Sequence, residues 1–170
     1  MRPGHAWPTL ALALAAAACG YGFTQRYVAK GGADRVHVRA FENLSTEPDL
    51  GAAITSALRT ELSRRGAEAG EGAAAAIEGE VRATEPAPTS QRTLVGVGGP
   101  APSEIGTWRI ALEVRARLHE GGKKVAEHVA RREAGYLAGA DPLETEGRRA
   151  LALRRLADEA AREVLRAFER

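Results

Sequence analysis

This 170-residue chain has a single cysteine, Cys19, and the residues around it limit the chemistry that its thiol can perform. One thiol cannot form an intramolecular disulfide, a cysteine-based zinc cage or an iron–sulfur cluster. Cys19 follows an apolar run from Trp7 to Ala18 that ends in small alanine side chains. Because such a run is too short to span about 30 Å of hydrocarbon, it is typical of a cleaved secretory signal peptide. The sequence therefore predicts a thiol at a cleavage site.

Small side chains followed by a cysteine resemble the bacterial lipobox, in which the thiol becomes the acylated mature N-terminus. The resemblance implies a signal peptide over residues 1–18 and a diacylglycerol plus an acyl chain, such as palmitate, on Cys19. Since Gly20 and not Asp follows the cysteine, it also implies a lipid anchor in the outer membrane that holds the domain on the periplasmic side. Ala16 stands where the lipobox usually has Leu. The alternative is an ordinary signal peptide, cut near Ala16–Ala18, that leaves a free thiol.

Catalytic and metal-binding patterns give no comparable signal. Once the signal peptide is removed, the histidines are His37, His119 and His128, without the spacing of a His-x-x-His or His-Glu-x-x-His site. The chain also has no Gly-x-Ser-x-Gly elbow. His37 and His119 fall at strand positions that face away from the apolar side. We therefore expect no enzyme, no metal and no cofactor besides the covalent lipid.

Composition and charge limit the remaining classes of protein. The length suits one domain, and 44% hydrophobic with 27% charged residues is ordinary for a folded protein. A formal net charge of +2 with 5% aromatic residues provides neither the basic footprint nor the stacking platform of a nucleic-acid-binding protein. We expect a single domain over residues 34–170, joined to the lipidated cysteine by a tether over residues 19–33 that partly packs on it.

Hydrophobic periodicity predicts an α+β domain with the order strand, helix, three strands, helix. Apolar residues alternate along the strands and recur at three- and four-residue spacing in both helices. One apolar face on each element is best buried in a two-layer sandwich, with both helices on one face of a mixed four-stranded sheet. The expected elements are a strand over 35–41, a helix over 50–62, strands over 77–84, 108–118 and 125–136, and a helix from 142 to the end of the chain.

Local signals define the connections between these elements. Gly121-Gly122 predicts a tight turn between the last two strands, and the broken alternation at Arg131–Glu133 predicts a bulge or solvent exposure. Asp141-Pro142-Leu143-Glu144 predicts a capped helix start. Prolines and glycines predict a long irregular connection over residues 86–104, which is a candidate binding loop. A mobile loop without a partner is the alternative.

These features together resemble the LptE-type lipoproteins of lipopolysaccharide assembly. The resemblance covers the mature chain, including its element order and size, and implies a two-layer α+β domain. It further implies a role in binding lipopolysaccharide, plugging an outer-membrane β-barrel of the LptD type and aiding insertion into the outer leaflet. An adaptor of another envelope-assembly or secretion complex is the alternative. The residues that carry the resemblance are Cys19-Gly20-Tyr21-Gly22-Phe23 and Val36-x-Val38-x-x-Phe41-x-Asn43-x-Ser45-Thr46-Glu47-Pro48-x-Leu50.

A lipopolysaccharide-binding surface needs clustered cations, because the ligand carries phosphates and acidic sugars. Residues 105–138 contain seven basic and four acidic side chains, a local excess of +3. The apolar segment 94–99 is a candidate contact with the barrel wall. The alternative is a solvated hairpin whose lysines protect an edge strand from aggregation. The candidate ligand-binding residues are Lys123, Lys124, Arg131, Arg132 and Arg117 on the predicted hairpin, and Arg92 in the connection.

Overall fold

The computed structural model describes residues 27–96 and 99–170, and the side chains of these residues outside 90–105. The predicted signal peptide, Cys19 and the first part of the tether lie outside the described residues. The strands are β1 (Val36–Val38), β2 (Glu42–Asn43), β3 (Glu68–Ala69), β4 (Ala75–Ala83), β5 (Ala87–Gly96), β6 (Gly99–Glu120) and β7 (Lys123–Leu137). The helices are α1 (Leu50–Arg64) and α2 (Pro142–Phe168).

The predicted α+β class with two helices and a mixed sheet is confirmed, but the predicted number of four strands is wrong. The sheet has seven strands, and pairing shows how they fit into fewer rows. β1 and β2 lie end to end along one edge of β4, and β4 and β5 lie end to end along one edge of β6. The pairs among β1 to β4 are parallel, whereas β4, β5 and β7 are antiparallel to β6. β3 and β7 form the outer rows of the sheet, and β5, which pairs only with β6, also has a free edge.

The predicted first strand is divided into β1 and β2 by a side chain of α1. The Phe41 backbone N–H donates to the Thr55 hydroxyl at 3.0 Å instead of to a neighbouring strand. This contact interrupts the ladder but brings the Phe41 ring over Gly79 of β4. A Cβ atom on Gly79 would overlap the Arg115 carbonyl oxygen and crowd that ring. The weak apolar face of β4 is therefore the space that Phe41 fills.

The long irregular connection predicted over 86–104 is also wrong, because β5 and the start of β6 occupy most of it. β5 lies in an edge position, where prolines are tolerated, and its pairing with β6 shifts register in three places. β7 pairs with β6 only from Thr107 onward. Residues 91–96 and 99–106 therefore extend beyond the rest of the sheet as two paired strands, here called the ribbon.

The helix boundaries follow the predicted signals, with one difference at α1. The Asp141 carboxylate accepts the Glu144 N–H at 2.8 Å, and the Glu144 carboxylate accepts the Ala140 N–H at 2.6 Å. This last hydrogen bond lowers the pKa of Glu144. α1 starts differently, because Asp49 has a left-handed backbone with φ 58° and its side chain makes no cap hydrogen bond. Gly66, with φ 65°, ends α1 as predicted.

The Gly121-Gly122 turn between β6 and β7 is confirmed. Of the two alternatives predicted at Arg131–Glu133, solvent exposure is present and the bulge is not. Both glycines have positive φ, 55° and 78°, as a primed turn requires. β7 runs in register through Arg131 and Arg132. The register shift lies opposite Leu118 and His119 of β6, where Val125 is the extra residue on β7. The two arginines do not interrupt β7, because successive side chains point to opposite faces and each finds a carboxylate.

Both helices pack on one face of the sheet and enclose a continuous apolar core. Alternate residues of β4 and β6 face the helices, and the intervening charged residues lie on the open face of the sheet. The largest fully buried side chains come from both layers: Tyr27, Phe168, Ile54, Leu58, Leu62, Ile77, Ile110, Leu112, Leu118, Leu156, Leu165 and Val36.

Candidate functional site

The predicted basic hairpin is formed by β6 and β7, and its turn places two lysines at one end of the molecule. Lys123 and Lys124 are exposed at the start of β7. The Lys124 ammonium lies 2.8 Å from the Glu127 carboxylate. Within the part of the chain that the structure describes, the Lys123 ammonium makes no ion pair or hydrogen bond. Lys123 is therefore a cation that can meet an anionic ligand without first leaving a carboxylate.

Two predicted site residues lie on the open face of the sheet, each beside a carboxylate. The Arg117 guanidinium is 3.4 Å from Glu127, and that of Arg131 is 2.8 Å from Glu113. The hydrogen bond from Lys124 lowers the pKa of Glu127, and the one from Arg131 lowers the pKa of Glu113. Arg117 and Lys124 thus share Glu127, and a phosphate would have to replace that carboxylate to be bound by both.

Arg132 does not join this group, because it faces the helix layer. It lies 2.5 Å from Glu163 of α2, whose other oxygen lies 3.0 Å from His128 Nε2. The structure therefore brings Lys124 and Arg117 together and separates Arg132 from them. Cys19 and the Arg92 side chain lie outside the described part of the structure.

The N-terminal segment enters the domain at the same end as the hairpin turn. Tyr27 is fully buried, which raises the pKa of its hydroxyl, and the Arg65 guanidinium lies 5.9 Å from its ring centre. The Lys30 N–H donates to the Phe168 carbonyl at 2.8 Å, which ties the segment to the end of α2. The Glu120 carboxylate lies against Gly31 and so joins the segment to the hairpin. We call this end the turn pole.

The ribbon leaves the opposite end of the molecule, which we call the ribbon pole. Thr107, where the ribbon begins, pairs with Leu137 at the end of β7, and α2 starts only a few residues later. α1 starts at the same end, because the Glu47 carboxylate beside its first turn accepts a hydrogen bond from Arg149 of α2. The N-terminal segment therefore enters the domain at one end of the helices, and the ribbon leaves it at the other end.

The Glu47–Arg149 pair is the main polar contact that sequence reasoning missed. Glu47 is only 5% exposed, and the turn that holds it is tied by Asn43, whose amide donates to the Glu47 carbonyl at 2.7 Å. Burial alone would lower the pKa of Arg149, but its hydrogen bond to Glu47 and the charge of Glu47 raise it. The sequence contained a signal for this contact, because Arg149 stands four residues before Leu153 and so lies on the apolar face of α2. The turn thus joins α1 to α2.

The histidines occupy structural positions. His37 Nδ1 lies 3.3 Å from the Ala69 carbonyl oxygen, and His119 lies 3.3 Å from Glu78 on the open face of the sheet. Among residues 27–96 and 99–170, no three His, Cys, Asp or Glu side chains are grouped so that they could hold a metal ion. None of the described helices combines the length and apolar character needed to cross a membrane.

Solved structures with a similar fold include several lipoproteins and the PelC dodecamer. Rare lipoprotein B from Shewanella oneidensis is 15% identical, with 76% of this chain and 91% of that chain covered and a TM-score of 0.52. The PelC dodecamer from Paraburkholderia phytofirmans is 18% identical, with 80% and 89% covered and a TM-score of 0.48. A minor lipoprotein from Acinetobacter baumannii is 16% identical, with 79% and 89% covered and a TM-score of 0.44. The Shewanella structure supports the two-layer fold described above.

The sequence itself matches one family model across the folded domain. Comparison with curated protein sequences gives no match. The model for LptE, described as lipopolysaccharide-assembly, matches residues 33–168. That range runs from the last residues of the packed N-terminal segment to the end of α2, so every strand and helix described above lies within it. The chain therefore belongs to the LptE family of non-enzymatic lipopolysaccharide-assembly lipoproteins.

Proposed function

We propose that this protein is an outer-membrane lipoprotein that plugs a β-barrel lipopolysaccharide translocon of the LptD type, binds lipopolysaccharide and aids its insertion into the outer leaflet. The observation that carries the proposal is the family match over residues 33–168. The arrangement of the domain agrees with it, because a plug needs broad surfaces more than an enclosed reactive cavity.

The positions of the two poles support an anchored plug. The segment between Cys19 and Tyr27 can span at most about 29 Å when extended, so an acyl chain on Cys19 keeps the turn pole near the membrane surface. The ribbon, at the other end, carries the segment 94–99 that we propose contacts the barrel wall. β5 contacts no described helix or strand other than β6, so that its outer edge is available to a partner.

The ligand-binding part of the proposal concerns Lys123, Lys124, Arg117, Arg131, Arg132 and Arg92. Lys123 and Lys124 are exposed beside the segment that leads to the proposed anchor, where lipid headgroups would lie. Arg117, Arg131 and Arg132 are paired with carboxylates, so they contribute by exchanging those carboxylates for phosphate. We therefore expect Lys123 and Lys124 to contribute most to affinity.

Affinity purification of the acylated protein from native outer membranes tests the partnership. We expect a large β-barrel protein in near-equal amount, retained in mild detergent. A matched sample from cells without the tagged protein controls for carry-over. Recovery of the protein with no barrel, or with only a different envelope complex, would reject the plug and favour the adaptor.

The double substitution Lys123→Glu/Lys124→Glu tests the hairpin. We expect weaker binding of purified lipopolysaccharide, measured by a direct binding assay, with unchanged thermal unfolding. Arg154→Glu/Arg155→Glu makes the same change of charge on the exposed face of α2 and serves as the control. Equal binding by the two double variants would remove the hairpin from the ligand site.

The proposed anchor is tested by labelling with a radioactive fatty acid. Wild-type protein should incorporate the label and fractionate with the outer membrane, whereas Cys19→Ala should incorporate none. Cys19→Ser keeps the size of the side chain but not the thiol, and it should also incorporate none. An unlabelled wild-type protein would show that the signal peptide is of the ordinary cleaved type.

A further inference from the structure

The cavity at the ribbon pole is lined by two aromatic residues, Trp108 and Tyr136. It has a volume of about 330 Å³ and lies between β6, β7, the start of α2 and the turn before α1. Trp108 and Tyr136 form a directly opposed pair on β6 and β7, so both rings lie on the same face of the sheet. Tyr136 is 8% exposed and Trp108 is half-buried. Trp108 is therefore the ring that a ligand in the cavity can contact, and Tyr136 supports it from the neighbouring strand.

The polar groups around these rings are free to bind. Among the described residues, the Tyr136 hydroxyl, the Trp108 indole N–H, the Thr46 hydroxyl and the Glu85 carboxylate have no hydrogen-bond partner, and none of these atoms is a buried, unsatisfied one. Burial raises the pKa of Tyr136, so its hydroxyl remains a neutral donor at physiological pH. The cavity therefore offers two donors on its aromatic residues, with acceptors at its rim.

The charge of the cavity narrows the class of ligand. Three carboxylates line it, those of Glu47, Glu85 and Glu146, against one guanidinium, that of Arg149. Arg149 is already bound to both Glu47 and Glu146, with the second pair at 3.1 Å. An excess of negative charge opposes phosphate and carboxylate ligands. The site therefore suits a neutral or amino compound that carries several hydroxyl groups.

We infer that this cavity is a binding site for a sugar ring, which packs against the Trp108 ring while the Tyr136 hydroxyl, Glu85 and Thr46 bind its hydroxyl groups. A pyranose has apolar C–H faces that suit an aromatic ring, and hydroxyls at its rim that need donors and acceptors in pairs. The volume allows one or two such rings. The site is distinct from the hairpin at the turn pole, and it depends neither on the barrel partner nor on the proposed hairpin cations.

Two sources could supply the sugar, a glycolipid headgroup or the glycan of the cell wall, and the experiment separates them. In the full chain Trp7 and Trp108 are the two tryptophans, so Trp7→Phe leaves Trp108 as the sole reporter of the site. Trp108 fluorescence is titrated with lipid-free, dephosphorylated oligosaccharide released from lipopolysaccharide, with chitobiose, and with inorganic phosphate. We expect a saturable change with at least one of the two saccharides and none with phosphate. Binding of the oligosaccharide alone indicates the glycolipid, and binding of chitobiose alone indicates the wall glycan.

Variants in the same Trp7→Phe background locate the binding. Tyr136→Phe removes the hydroxyl, and Glu85→Gln replaces one carboxylate oxygen, an acceptor, by an amide N–H donor. Each substitution should weaken saccharide binding about tenfold, as expected for the loss of a hydrogen bond in a partly buried site. Glu133→Gln, an exposed carboxylate on the open face of the sheet, is the control and should bind as the background does. Thermal unfolding of all variants checks the fold. The inference is overturned if neither saccharide gives a saturable change, if phosphate binds as well as the saccharides, or if neither Tyr136→Phe nor Glu85→Gln weakens binding. These outcomes are independent of barrel recovery and of Lys123→Glu/Lys124→Glu.

Discussion

The two ends of β6 show how differently one strand can be supported. Residues 112–120 pair with β4 on one side and β7 on the other and lie beneath the helix layer, whereas residues 99–106 pair with β5 alone. The first part has clean alternation of apolar and charged residues, because one face is buried. The second part is rich in glycine and proline and has no such alternation. Alternation of apolar and charged residues therefore indicates that a strand is buried under the helices. Strand pairing itself does not require that alternation.

This difference also bears on stability. The doubly paired part of β6 contributes Leu112, Val114, Ala116 and Leu118 to the core, each at most 1% exposed. Two-stranded ribbons are only marginally stable in water by themselves. We therefore expect the sandwich to carry the folding free energy and the ribbon to gain stability from a partner.

The largest expected effect is a cavity under the helices. Leu118→Ala removes a fully buried side chain and should lower the free energy of unfolding by about 2–5 kcal/mol, measured by urea denaturation. Leu143→Ala is the control, because Leu143 is 83% exposed at the start of α2, and it should change stability by less than about 0.5 kcal/mol. Equal effects of the two substitutions would contradict the assignment of the core.

The next effect concerns the contact that joins α1 to α2 at the ribbon pole. Glu47→Ala leaves the Arg149 guanidinium partly buried without its main partner and should cost about 3 kcal/mol in urea denaturation. Glu47→Ala/Arg149→Met removes both charges and should recover part of that loss. A double variant that is less stable than Glu47→Ala would show that Arg149 acts through its packing and not through the pair.

A smaller effect is expected when the ribbon is removed. Replacing residues 89–107 by Asn-Gly leaves Pro88 and Trp108 joined by a tight turn, since these two residues are paired in the sheet. The free energy of unfolding should change by about 1 kcal/mol or less, while recovery of the barrel partner should fall. Loss of cooperative unfolding would show that the ribbon is part of the folding unit and would break the distinction between the two ends of β6.

The smallest effect is a pH dependence of the open face of the sheet. The pKa values of Glu113 and Glu127 lie below the ordinary value of 4.5 in the folded protein, so their stabilising contribution is complete above that pH and is lost as the pH falls through the lowered values. The urea midpoint of wild-type protein should therefore fall between pH 5 and pH 3 by slightly more than that of Glu113→Gln. Parallel curves for the two proteins would show that the pair with Arg131 adds nothing to stability.

The candidate site was predictable only in part. Lys123 and Lys124 follow a Gly-Gly turn, so local sequence was enough to place them together at the tip of a hairpin. Arg131 and Arg132 are adjacent in sequence but lie on opposite faces of β7, and their carboxylate partners belong to β6 and α2. The net charge of residues 105–138 could not show that Arg132 is paired, because it counts the acidic residues within the hairpin but not Glu163 of α2.

The sequence by itself determined the two-layer α+β class, the capped start of α2, the Gly121-Gly122 turn and the family, because each depends on periodicity or on residues close together in the chain. Tertiary structure alone decided that the proline-rich segment forms a ribbon, that Phe41 divides the first strand, and that Glu47 pairs with Arg149. Those outcomes depend on which elements become neighbours. A hydrogen bond to Thr55 or an edge position beside β6 exists only after the layers have packed.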